Sequence, residues 1–144
     1  MTEAKPRALL IVEDDPALQK QLRWSFDRYE SIVAGDRESA LAQIRRYGPA
    51  VVTMDLGLPP DADSVSEGFK LLEQVLSLAP ETKVIVLTGQ NDQANALRAI
   101  ALGAYDFFAK PFEPEILALT IDRAFRLYDL QAENRRLQAM HQPD

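Results

Sequence analysis

Five polar residues stand where this chain could do chemistry: Glu13, Asp14, Asp55, Thr88 and Lys110. Each follows or closes a short apolar run. Taken one at a time they are ordinary. An Asp after a strand is usually a helix cap or turn residue, Thr88 before Gly89 fits a turn, and a lone Lys110 fits a solvated charge. Gathered together, they would set three carboxylates against one ammonium and one hydroxyl. Like charges at close range are unfavourable, and a divalent cation relieves them. Hard oxygen donors, with room left for water and a phosphate, suit Mg2+ better than zinc or calcium. With Mg2+ and Lys110 neutralising phosphoryl oxygens, the Asp55 carboxylate can attack phosphorus in line to give an aspartyl phosphate. Thr88 can donate a hydrogen bond to the new group. No general base is required, because a carboxylate is already ionised at neutral pH.

The elements that must position these residues are legible in the patterning. Ala8–Val12 is a continuous apolar run of the kind buried on both faces of a parallel sheet. Asp15 then caps a helix opened by Pro16, with Leu18, Leu22 and Phe26 on its inner face. A weak second strand covers Ser31–Ala34. Asp36 caps a second helix with Ala40, Leu41, Ile44 and Tyr47 inward, stopped by Gly48 and Pro49. Ala50–Met54 is the third strand and runs into Asp55. A Pro-, Asp- and Ser-rich loop crosses 57–66. Phe69, Leu72, Val75 and Leu76 mark a third helix, and Lys83–Leu87 a fourth strand ending at Thr88. Ala94, Leu97, Ile100 and Ala101 mark a fourth helix before Gly103. Tyr105–Ala109 is the fifth strand, ending at Lys110 and Pro111, and one helical pattern runs from about Glu113 nearly to the end.

Five alternating strand–helix units imply an α/β fold, a doubly wound parallel sheet with helices on both faces. Ligands bind such sheets at the carboxyl ends of the strands, near the point where strand order reverses. All five candidate residues fall at such ends.

Composition narrows the class. The chain has 144 residues, 47% hydrophobic and 26% charged, enough for one core without staples. It has no cysteine, which excludes disulfides, thiolate catalysis and thiolate-bound zinc. A net charge of -6 argues against a broad nucleic-acid-binding face. The polar start MTEAKPR leads into too few apolar residues for a signal peptide or a membrane span. A soluble, cytoplasmic protein with no direct nucleic-acid or membrane contact is expected.

Four segments carry a family resemblance: IVEDD (Ile11–Asp15), MDLGLP (Met54–Pro59), VLTG (Val86–Gly89) and AKPF (Ala109–Phe112). In this order they resemble the signature segments of response-regulator receiver domains of two-component systems. The resemblance implies a flavodoxin-like (βα)5 sheet of order 2-1-3-4-5 and an Asp55 phosphorylated by a partner histidine kinase. It implies Mg2+ held by Glu13, Asp14, Asp55 and the backbone carbonyl of Gly57, with Asp14 the more direct of the acid pair. Thr88 becomes the switch hydroxyl, Phe107 the switch aromatic and Lys110 the phosphate clamp, with a cis Lys110–Pro111 bond. Such a domain is a signalling phosphoacceptor rather than an enzyme with a separate substrate. Homodimerisation is expected through helix four, strand five and helix five, and through the C-terminal helix.

Some features depart from the pattern. Gly68 stands 13 positions after Asp55, where the family's usual loop is several residues shorter. Asp61 and Asp63 in this loop faintly echo a calcium loop that lacks its glycine and terminal glutamate, and a solvated loop is expected. Gly57 and Gln90 occupy the positions that tune dephosphorylation, and Phe107 lacks the hydroxyl of the usual Tyr. Leu127, Leu130, Asn134 and Leu137 continue at 3–4 spacing to His141, the single histidine, for which no relay role is expected. Residues 1–128 are therefore expected to form the receiver, and 129–144 a helical linker or coiled-coil start leading to an absent output domain. The tail, the long loop and DLGLPP look like NtrC-type transcription activators linked to exosortase (PEP-CTERM) systems, of which this chain would be the front part. No Walker motif occurs, so ATP binding is not expected. Two alternatives remain: an Asp-nucleophile phosphohydrolase, disfavoured because Gly57 stands where a second carboxylate belongs, and a phosphorylation-independent pseudo-receiver serving as a dimerisation module.

Overall fold

The computed structural model describes residues 7–60, 64–89 and 93–141. Strands β1 (Ala8–Val12), β2 (Glu30–Ala34), β3 (Val51–Asp55), β4 (Lys83–Thr88) and β5 (Asp106–Ala109) alternate with helices α1 (Pro16–Ser25), α2 (Arg37–Tyr47), α3 (Ser66–Leu78), α4 (Gln93–Leu102) and α5 (Pro114–His141). The strands form one parallel sheet of order β2-β1-β3-β4-β5, the flavodoxin-like arrangement expected. The order reverses at β1 and β3, so the exits of these two strands flank the crevice in which such sheets bind ligands.

Period-two alternation splits the apolar runs between two cores. Leu10, Val12, Val52, Met54, Val84 and Val86 face α2, α3 and α4. Leu9, Ile11, Val51, Ile85 and Leu87 face α1 and α5, where they meet Leu22, Phe26, Leu117, Ile121 and Phe125. Because both faces are covered, β1 and the interior of β4 read as continuous hydrophobic runs, and β3 does so up to Asp55 apart from Thr53.

The helix starts follow their caps. Asp15 Oδ1 accepts from Ala17 N–H at 3.0 Å, ahead of Pro16 at the first helical position. Asp36 and Ser39 form a reciprocal capping box, and Gly48 closes α2 in the left-handed region at φ 55°. Two helix faces differ from expectation. Tyr47 does not point inward: it lies in the last turn of α2, 42% exposed, under the Arg46 guanidinium. On α4 the buried positions are Ala96 and Ala99, while Ala94, Leu97, Ile100 and Ala101 face outward. Small residues let α4 lie close to the sheet, so the larger apolar stripe is turned to the surface.

α5 is one helix of 28 residues, about 42 Å long at the usual rise. Leu117, Ile121, Ala124 and Phe125 bury its first half. Arg28 pairs with Asp122, Arg7 with Asp129, and Lys83 donates to Gln131. From Glu133 to Met140 every residue is exposed.

One close approach ties α3 to the end of β3. A Cβ added to Gly68 would lie 2.4 Å from Leu56 O and 2.5 Å from Leu56 Cα, both backbone atoms that cannot swing aside. Alanine favours a helix by about 1 kcal/mol over glycine, but overpacking of this kind costs about 1–3 kcal/mol. Urea denaturation of Gly68→Ala should therefore show a net loss of stability. The opposite is expected at Thr53, which is fully buried in β3 with an Oγ1 that has no hydrogen-bond partner. Thr53→Val removes an unsatisfied hydroxyl and should raise unfolding stability by about 1 kcal/mol in the same assay.

Candidate functional site

Four strands deliver the candidate side chains to one end of the sheet. Glu13 and Asp14 follow β1, Asp55 ends β3, Thr88 ends β4, and Lys110 follows β5. Parallel pairing sets their level: Met54 lies beside Val12, Leu87 beside Asp55, and Ala109 beside Thr88. The turns after the strands are held by backbone bonds. Glu13 N–H donates to Ala34 O at 2.9 Å, Leu56 N–H to Leu87 O at 3.2 Å, and Lys110 N–H to Thr88 O at 2.8 Å.

Lys110 is the hub. Its Nζ donates to Asp55 Oδ2 at 2.8 Å and to Glu13 Oε1 at 3.0 Å. Asp55 Oδ1 accepts from Gly57 N–H at 3.0 Å, which holds the carboxylate from its other side. Glu13 Oε2 accepts from Asp15 N–H at 3.2 Å. Carboxylate oxygens of Glu13, Asp14 and Asp55 all lie within 4.8 Å of one another. Asp14 and Asp55 are half-buried and Glu13 is only 1% exposed.

Charge is crowded here, and it shifts the Glu13 carboxyl. Burial first, and the Asp55 charge second, push its carboxyl up to about 7, against the opposing pull of Lys110 and the Asp15 amide. Burial works to lower the Lys110 ammonium, but hydrogen bonds and charge from Asp55 and Glu13 outweigh it and hold the lysine above its usual range. One ammonium thus serves two carboxylates beside a third. The donor set is entirely hard oxygen with excess negative charge, which fits a small divalent cation.

The expected residues therefore meet, with Thr88 (2% exposed) closing β4 beside them. Phe107 does not join the cluster: it lies on edge strand β5, 36% exposed. The Lys110–Pro111 bond is cis, as the resemblance implied, and Pro59–Pro60 is cis as well. Asp15 caps α1 rather than joining the carboxylates. Gln90, Asp61 and Asp63 lie outside the described residues. One neighbour was not anticipated. Gln19 Nε2 donates to the carbonyl of Glu13, and a glutamine in the second turn of a helix carries no sequence signal that separates it from a solvent-facing residue.

Comparison with known proteins agrees with this geometry. Residues 9–122 match the response regulator receiver domain family. The chain is 31% identical over 137 residues to the nitrogen assimilation regulatory protein NtrX of Azorhizobium caulinodans, covering 94% of this chain and 30% of that protein. It thus spans less than a third of that relative's length. It is 29% identical over 111 residues to the chemotaxis protein CheY of Thermotoga maritima, covering 75% of this chain and 88% of that one. The crystal structure of the receiver domain of NtrX from Brucella abortus superposes with a TM-score of 0.74 at 31% identity, covering 82% of this chain and 98% of that one. A five-stranded flavodoxin-like sheet that gathers this acidic cluster and lysine at its carboxyl end, matched over most of its length, belongs to the response regulator receiver domain family.

Proposed function

We propose that this chain is a phosphorylation-controlled receiver in which Asp55 accepts a phosphoryl group from the phosphohistidine of a partner histidine kinase. The observation that carries this reading is the Lys110 ammonium, within hydrogen-bond distance of both Asp55 and Glu13. An Asp55 oxygen forms the new P–O bond as the P–N bond to the kinase histidine breaks, and the freed imidazole takes a proton from water. Lys110 then compensates charge on the phosphoryl oxygens, and Thr88 donates its hydroxyl to one of them. Glu13, Asp14, Asp55 and the Gly57 carbonyl would hold Mg2+, which when bound supplies charge neutralisation at the phosphoryl oxygens. Gly57 N–H already orients the attacking carboxylate.

The output reading rests on surface. Leu97, Ile100 and Phe107 of α4 and β5, and Ile116 and Leu119 of α5, are exposed. Such a patch suits a second copy of the chain, with phosphorylation shifting the population toward the dimer through Thr88 and Phe107. The exposed end of α5, with Leu130 and Leu137 outward, would extend that dimer as a linker. The proposed division near residue 128 falls just before Asp129, which pairs with Arg7, and Gln131, which accepts from Lys83. Control of transcription by a further domain, as in NtrC-type activators, is supported by the likeness to NtrX over less than a third of that protein. An exosortase-linked branch rests on the loop and tail sequence alone. No helix among the described residues is long and apolar enough to cross a membrane, which is compatible with a cytoplasmic setting.

Incubation with acetyl phosphate and Mg2+ should give a covalent adduct, read by intact mass, that Asp55→Asn abolishes and that Lys110→Ala slows roughly a hundredfold. No adduct on the parent chain would favour the pseudo-receiver, and steady turnover of phosphate esters the hydrolase. Beryllofluoride with Mg2+ should double the mass seen by light scattering. Leu97→Asp should block that doubling while leaving adduct formation intact.

A further inference from the structure

The backbone of Glu13 is tied on both sides. Its N–H donates to Ala34 O at the end of β2 at 2.9 Å, and its carbonyl accepts from Gln19 Nε2 on α1. That carbonyl belongs to the peptide unit joining Glu13 to Asp14. Because the unit is planar, its orientation sets the direction in which the Asp14 Cα, and hence its carboxylate, leaves the turn. Asp15, the next residue, has its own anchors: Oδ1 caps α1, and its N–H bonds Glu13 Oε2 at 3.2 Å. The Gln19 backbone is held in the first turns of α1, where its N–H donates to Asp15 O at 2.9 Å.

We propose that Gln19 is a positioning residue for the acidic cluster: its side-chain amide clamps the Glu13–Asp14 peptide so that the Asp14 carboxylate faces Glu13 and Asp55. The inference rests on the reading of that cluster as a Mg2+ site. Gln19 lies behind the turn and contributes no ligand atom; it acts through the peptide plane. The competing role, a side chain that merely satisfies a carbonyl, would tie Gln19 to stability alone. A positioning role ties it to cation affinity, because residues that orient ligands without touching the metal typically govern about ten- to a hundredfold in affinity.

Gln19→Leu keeps the bulk and removes the donor. Lys20→Leu, at an exposed neighbour on the same helix, is the control. With the full chain, Mg2+ is titrated against backbone amide shifts, melting is followed in EDTA, and amide exchange at Asp14 and Asp15 is measured without metal. Gln19→Leu should bind Mg2+ about tenfold more weakly than the parent and exchange the Asp14 amide faster. Lys20→Leu should do neither. Equal Mg2+ affinity in Gln19→Leu and the parent overturns the inference, whatever the melting temperature. A parent chain that takes up no Mg2+ overturns the cation reading, and this inference with it. Should Gln19→Leu fail to fold, Gln19→Met, which also lacks the donor on an unbranched stem, carries the same comparison.

Discussion

One shared ammonium organises this molecule. Lys110 donates to Asp55 and Glu13 together, and its positive charge offsets the repulsion among these two carboxylates and the neighbouring Asp14. The lysine does not fully balance the cluster. Burial and the facing Asp55 charge push the Glu13 carboxyl up to about 7, against the pull of Lys110. Such a cluster, all hard oxygen around a single ammonium, offers a donor set that suits a small divalent cation.

Holding such a cluster requires rigid supports, and the sheet provides them. β1 and β3 are buried on both faces, so Glu13 and Asp55 project from strands that cannot slip without exposing apolar side chains. The turns beyond are pinned individually: Glu13 by Ala34 and Gln19, Leu56 by Leu87 and by the close passage of Gly68, Lys110 by Thr88. This end of the sheet thus has its support in backbone hydrogen bonds, in the Gln19 side-chain amide and in one close glycine passage.

The β5 side is built more loosely. α4 buries only Ala96 and Ala99, with Arg98 stacked 4.0 Å above the Phe69 ring as its tie to α3. β5 is a four-residue edge strand on which alternate residues are open to solvent. Elements with few buried apolar contacts open at low free energy. The β5 side has fewer buried apolar contacts than the β1–β3 half.

The strand runs, the Asp15 and Asp36 caps and the Gly48 stop were legible in the sequence, because each depends on neighbours a few residues away. The five candidate residues were legible for a related reason: a parallel sheet puts every strand's carboxyl end at one edge, so position along the chain converts directly into position in space. Tertiary structure decided the rest. Periodicity on α4 marked an apolar stripe but could not tell an inward face from an outward one, since Leu97 and Ile100 obey the same spacing on either side of the helix. The Gln19 amide meets the Glu13 carbonyl and Gly68 passes close to the Leu56 backbone, so in both cases the partner atoms are backbone atoms common to every residue type. Local sequence encodes which element forms and where it stops. Which of its faces is covered, and how closely two backbones approach, is set by packing against distant chain, and no short-range pattern carries that information.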